Sequence, residues 1–172
     1  MVVLGIDPGL QTTGYGLVAE GGKEGVEGEG LRAVEFGAIR TSASSPLPER
    51  LLKIARGISE VIDERRPDCA SVEQVFYATN AKAALLLGHV RGAILAELCR
   101  RGLPVHEYSA LEIKQALVGY GRAQKHQVAE MARVLLGLEK TPAPADAADA
   151  LAAAICHLHS RGQAAAREEA GS

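Results

Sequence analysis

The apolar run from Val2 to Ile6, closed by Asp7, Pro8 and Gly9, restricts the possible folds of this chain more than any other stretch. Five apolar residues without polar alternation describe a strand buried on both faces, at the centre of a sheet that carries helices above and below. Asp7 ends that strand, and a carboxylate at the edge of a buried region is costly unless something pairs with it. The rest of the sequence must supply the partner.

Two further strands follow closely. The stretch from Gln11 to Glu20 alternates in the manner of a strand, a Gly/Glu-rich turn occupies residues 21–30 with a mobile tip, and Leu31 to Arg40 alternates again. Strands joined this tightly predict an antiparallel meander. Ser44, Ser45 and Pro46 offer an N-cap to a helix carrying Leu51, Ala55, Ile58 and Ile62 at helical spacing, up to a break at Arg66 and Pro67. A fourth strand spans 68–75 and carries Glu73. A long helix runs from about Asn80 to Arg101, a fifth strand from Val105 to Ala110, and helices over Leu111–Leu117, Gln124–Leu138 and Asp146–Ser160. The expected fold is therefore α/β: a mixed five-stranded sheet, three antiparallel strands then two parallel ones added by helical crossovers, with helices on both faces. A chain of 172 residues suffices for one core. The expectation is a single domain over 1–160 and a flexible C-terminal tail over 161–172.

Composition matters at three points. Apolar residues make up 47% and aromatic ones 3%, with no Trp, so the core must be packed from Val, Leu, Ile and Ala. Cys69, Cys99 and Cys156, odd in number and widely spaced in apolar surroundings, read as reduced core residues. No charged-then-apolar leader opens the sequence and no apolar stretch of about 18 residues occurs, which predicts a cytoplasmic protein without a membrane partner. The formal net charge of −2 would disfavour nucleic acid if it were evenly spread. It is not: between Lys114 and Arg133, the cations Lys114, Arg122, Lys125 and Arg133 face only Glu130, a local surface suited to a polyanion.

The chemistry resides in four acids. Asp7 ends the first strand, Glu73 lies near the end of the fourth, and Asp146 and Asp149 share one face of the last helix's first turn. The neighbours Ala145, Ala147, Ala148 and Ala150 are small, which leaves room for a close approach to the sheet. Alone, each acid has a plainer explanation, since Asp-Pro-Gly is a turn and Asp at a helix start is a cap. Asp7 and Glu73, however, lie in strands, where caps are irrelevant. If the four converge they repel one another, and divalent cations relieve the repulsion. Carboxylate ligation completed by substrate phosphate suits Mg²⁺, and two ions about 3.5–4 Å apart make a phosphoryl-transfer clamp.

These residues fall in motifs that resemble a known family. The stretches Gly5–Val18, Val72–Asn80, Leu87–Ile94, Glu112–Val128 and Ala145–His157 are similar, in order and with compatible spacing, to the motifs of the RuvC family of bacterial Holliday-junction resolvases. The resemblance covers about Val2 to His159. It implies a ribonuclease H-like fold and a homodimer that places paired, symmetric nicks in four-way junction DNA during recombination and repair. It also implies Mg²⁺ dependence, with Mn²⁺ as substitute and two ions per site, and partnership with the RuvA–RuvB branch-migration complex. Matched position by position, the catalytic and metal-binding acids are Asp7, Glu73, Asp146 and Asp149. Lys114 and Lys125 match basic residues used near the site and on DNA, and Arg122 lies in the same basic stretch. Phe76 matches an aromatic that stacks on a base near the crossover; without the family it would read as core.

Other readings compete. The Asp7-to-Gly9 turn also fits an actin-like or sugar-kinase-type phosphate loop, another ribonuclease H-like nuclease, such as one acting on RNA–DNA hybrids, is a second rival, and a junction-binding module would use its acids only to cap and turn. In the long middle helix, Leu85, Leu86, Leu87, Val90, Ile94, Leu95 and Leu98 cover more than one stripe while Gly88 and Gly92 lie four apart. The excess suits either a second subunit or complete burial within one chain. Cys156, His157 and His159 have zinc-like composition, but so close on one helix they cannot converge on one tetrahedral ion.

Overall fold

A computed structural model describes residues 1–21, 30–74 and 80–170, with side chains as far as Gly162. The Gly/Glu-rich turn over 22–29, Phe76 within 75–79, and residues 171–172 lie outside the described residues. Five strands, β1 (Val2–Asp7), β2 (Thr12–Glu20), β3 (Leu31–Arg40), β4 (Cys69–Gln74) and β5 (Val105–Ser109), form one sheet in the order β3-β2-β1-β4-β5. The first three are antiparallel neighbours, and β4 and β5 run parallel to β1. This is the mixed α/β arrangement expected from the strand spacing.

Residue alternation along β1 explains why it is central. Leu4 and Ile6 point to one face, where they pack with Ile54, Ile58, Val90, Ile94 and Leu98 of helices α1 (Leu47–Arg65) and α2 (Ala81–Arg100). Val3 points to the other, into a core built with α3 (Ala110–Val118), α4 (Lys125–Leu135) and α5 (Ala145–Ala170). All three of Val3, Leu4 and Ile6 are fully buried. Of the helices on the second face, α5 lies directly against β1 and β2, and α3 and α4 pack on α5.

Helix ends follow local chemistry. Arg66 takes φ 47° and its N–H reaches the Ile62 carbonyl at 2.9 Å, closing α1 just before Pro67, which cannot extend a helix. Ser109 caps α3 reciprocally with Glu112, and Gly119 at φ 84° ends it. The expected serine cap of α1 is not formed: Pro46 occupies the cap position, without a side-chain bond. Helix α4 stops at Leu135 rather than at Leu138, because Gly137 turns left-handed at φ 61°. Helix α5 continues to Ala170 where a frayed tail was expected; Gln163, Ala164, Ala165, Ala166, Arg167 and Glu168 are all strong helix formers. Among the cysteines, Cys69 and Cys156 are buried as expected, but Cys99 is exposed. It follows the buried Leu98 on α2 and so turns away from the sheet.

Helix α2 buries a single stripe, Val90, Ile94 and Leu98. Leu85 stays 63% exposed, and no atom of the described residues stands within 4 Å of where side chains at Gly88 or Gly92 would project. Complete burial of this helix within one chain is thus ruled out. Among the described residues no helix is long and apolar enough to cross a membrane.

Candidate active site

Three glycines on adjacent strands determine where α5 sits. Gly5 of β1 pairs with Gly16 of β2, and Gly14 of β2 pairs with Asp7. A methyl group at Gly5 would overlap the Ala150 carbonyl, one at Gly14 the Asp146 carbonyl, and one at Gly16 the Leu151 side chain at 2.7 Å. Ala147, Ala150 and Ala154, each fully buried, line the helix face above. Glycine below and alanine above let the helix backbone rest on the sheet. Ser71 of β4 fastens it there, its hydroxyl donating to the Ala153 carbonyl at 2.6 Å.

That docking carries the acids together. Gly14 lies beside Asp7 in the sheet and under Asp146 on the helix, so Asp7 and Asp146 are neighbours across a residue with no side chain. Glu73 comes one step after the last registered pair of the parallel strands, Ile6 with Val72, and so lies next to Asp7 on the same face. The turn after Asp7 is held by the buried Thr13, whose hydroxyl donates to the Gly9 carbonyl at 2.7 Å. Asp149, one turn beyond Asp146, accepts from the Lys125 ammonium at 2.7 Å. Glu73, Asp149, Lys114 and Lys125 line a cleft of about 120 Å³ with Ile113 and Val128 as apolar wall. Asp7 and Asp146 are not among its lining residues and flank it towards β2.

Electrostatics register the crowding. Burial, followed by the charges of Glu73 and Asp149, pushes the Asp7 carboxyl from its ordinary 3.8 up to about 8, against the opposing pull of Lys125. Glu73 is also raised, by burial first and Asp149 second, with Lys125 and Lys114 pulling the other way. Lys125 is raised by its hydrogen bond to Asp149. Four carboxylates against two lysines leave a net negative pocket, and the donors are all hard oxygens, which fits a divalent cation of the Mg²⁺ or Mn²⁺ kind. The oxygens are not drawn fully together: no three of the four acids bring ligand atoms within 4.8 Å of one another. Mutual repulsion and the lysine's grip on Asp149 account for that spacing.

The basic residues divide. Lys114 and Lys125 reach the cleft, whereas Arg122 is exposed in the α3–α4 connection and does not line it. Arg133 is occupied structurally, by Glu130 and by the Leu138 carbonyl at 3.0 Å. Sequence reasoning missed Thr13, Ser71 and the glycine cradle. The signal available was Gly at alternate positions of β2 opposite an Ala-rich helix, a small-for-small match between segments far apart in the chain.

Comparison with known proteins places this geometry among relatives. Residues 3–157 match the family model described as Crossover junction endodeoxyribonuclease RuvC. A protein of that description from Geobacter sp. strain M21 is 50% identical over 165 residues, 96% of each chain. Another, from Chloroflexus aurantiacus, is 48% identical over 159 residues, 92% of this chain and 93% of that one. Among solved structures, Thermus thermophilus RuvC superposes with a TM-score of 0.85 at 37% identity over 95% of this chain and 97% of that one. The same organism's RuvC in complex with Holliday junction substrate gives 0.84 at 34% identity, over 95% and 96%.

Proposed function

The chain belongs to the RuvC family of crossover junction endodeoxyribonucleases, and from that premise we propose that it resolves Holliday junctions by paired, symmetric phosphodiester cuts made with divalent cations held by Asp7, Glu73, Asp146 and Asp149. The actin-like and non-catalytic readings fall away with that membership. The observation that carries the assignment of the acids is the Asp7 carboxyl, pushed to about 8 by burial and by the neighbouring Glu73 and Asp149. Such a cluster is stable in its charged form only with a cation among it.

Two Mg²⁺ ions, with Mn²⁺ as substitute, fit the four acids; when bound they supply charge neutralisation and Lewis-acid polarisation of the scissile phosphate. The chain's own residues do the rest. Asp7 and Glu73, fixed at the ends of adjacent strands, form the rigid half of the ligand set, and Asp146 and Asp149 the half that arrives with α5. Lys125 shields Asp149 and is drawn towards the DNA backbone as a phosphate enters, which frees the carboxylate. Lys114, which also lines the cleft, is the second phosphate anchor. Arg122 extends the basic surface outward, and Phe76 stacks on a base at the opened crossover, a contact worth about 1–3 kcal/mol. The products carry a 5′-phosphate and a 3′-hydroxyl.

A four-way junction has two-fold symmetry, which invites a two-fold enzyme. The exposed Leu85, with Gly88 and Gly92 on the same side of α2, is the surface we assign to the homodimer. The working assembly includes the RuvA–RuvB branch-migration complex, and residues 1–160 act as one nuclease domain.

The test is a synthetic mobile junction incubated with Mg²⁺, with nicks mapped on every strand. Symmetric nicks on two opposed strands are expected, and junction binding without cutting for Asp7→Asn. Cutting of linear duplex at the same rate, or on single strands without a paired nick, would refute the reading.

A further inference from the structure

At the other end of the sheet from the acids, three residues that the nuclease reading does not use converge. Cys69 opens β4, His106 is the second residue of β5, and His157 lies on α5, two helical turns beyond Asp149. Alternation puts Cys69, Ser71 and Glu73 on one face of β4, and the pairing of Ser71 with His106 carries that face into β5. The thiol of Cys69 and one ring nitrogen from each histidine lie within 4.8 Å of one another. Cys69 is 2% and His157 4% exposed, whereas His106 reaches solvent. The two imidazoles stack with centroids 4.2 Å apart.

His157 supplies the independent observation. Its Nδ1 is paired with the Tyr108 hydroxyl at 2.8 Å, while its Nε2 is buried without a hydrogen-bond partner among the described residues. A buried polar atom left unpartnered is costly, and proteins rarely retain one without use. With Nδ1–H donating to the Tyr108 oxygen, Nε2 is left with a free lone pair. Metal-binding histidines are commonly oriented in this way, by a partner on the far ring nitrogen.

We propose that Cys69, His106 and His157 form a site for a divalent cation of the zinc class, with Tyr108 orienting His157. One thiolate and two imidazoles are the donors such a cation prefers, and they are poor donors for Mg²⁺. Tetrahedral bonds of about 2.0–2.3 Å place ligand atoms about 3.5 Å apart, so atoms that lie within 4.8 Å of one another need close by little more than about 1 Å at most. The exposed His106 is free to make most of that movement, and its open side leaves the fourth position to water. This site is distinct from the acid cluster: Cys69 precedes Glu73 by four strand residues, about 13 Å, and His157 follows Asp149 by eight helical residues, about 12 Å. A bound ion joins β4, β5 and α5. Two of these elements carry Glu73 and Asp149, so the ion braces the frame of the nuclease site without entering it.

The histidine used here stands between Cys156 and His159, the residues whose zinc-like composition is visible in the sequence. Its partners come instead from strands 51 and 88 positions earlier (157 less 106, and 157 less 69).

Cobalt(II) titration of the full chain tests the proposal, with excess Mg²⁺ present to occupy the carboxylates. The expected result is one cobalt per chain with thiolate-to-cobalt charge-transfer absorption and the visible bands of a tetrahedral ion, displaced by zinc. Cys69→Ser loses the charge-transfer band, and Tyr108→Phe weakens binding about 10–100-fold. His106→Ala, a change at an exposed position that spares the core, loses the tetrahedral bands and the rise in melting temperature that zinc gives the wild type. Absence of the charge-transfer band in the wild type at saturating cobalt overturns the site, as does its persistence unchanged in Cys69→Ser or His106→Ala.

Discussion

Asp7 concentrates the energetic tension of the molecule in one side chain. Its carboxyl, ordinarily near 3.8, titrates near 8 in the folded chain. Between those values the folded state holds a proton that the unfolded state has released, so stability falls as pH rises through the window. Metal-free protein should therefore lose melting temperature from about pH 4 to pH 8, and Asp7→Asn, with nothing to ionise there, should lose less. At neutral pH the variant should melt higher than wild type by several degrees, each kcal/mol being worth about 2–4 °C in a chain of this size. A lower metal-free melting temperature for Asp7→Asn would contradict the electrostatic account. Lys114 gives a second prediction at this scale. Lys114→Ala should weaken junction binding and reduce the slope of log affinity against log salt by about one, the signature of one lost phosphate contact. An unchanged slope would put that lysine off the DNA.

The contact of α5 with the sheet decides whether the acids can meet at all. Gly14→Ala would drive a methyl into the Asp146 carbonyl and lift the first turn of the helix from β2. Overpacking of this kind costs about 1–3 kcal/mol. It should abolish cutting while junction binding through Lys114 and Arg122 persists; normal cleavage by a folded Gly14→Ala would show that the helix need not rest there. At this scale the sequence was most readable where periodicity is strong. The apolar run of β1, the two antiparallel and two parallel strand pairings, and the Asp146–Asp149 pair on one helical face follow from spacing alone. What periodicity cannot register is contact between remote segments: Gly5 under Ala150, Ser71 bonded to Ala153, Lys125 on Asp149. Lys125 was legible as a cation in a basic stretch but not as the residue that holds Asp149. Cys99 misled because it closes an apolar helical run, although helical phase turns it outward from the buried Leu98 and Arg100 and Arg101 follow it. The stretch from Arg161 onward has the composition of a polar tail, yet Gln163 to Glu168 favour helix, and α5 reaches Ala170.

For the molecule as a whole, the account requires two copies and a cation-dependent pocket. Leu85 is exposed in the single chain, so Leu85→Glu leaves the core intact and should convert a dimer to a monomer in sedimentation equilibrium. A dimer that survives this change would place the subunit contact elsewhere. The monomer should still bind a junction arm but lose the pairing of nicks, because each cut depends on its own acids while symmetry depends on the partner. The central claim, that four carboxylates remote in sequence act together as a cation site, is tested most directly by melting the wild type and Asp7→Asn with and without Mg²⁺. The account predicts that Mg²⁺ raises the melting temperature of the wild type and reverses the order of the two proteins, leaving Asp7→Asn little changed. An equal rise in both, or none in the wild type, would contradict it.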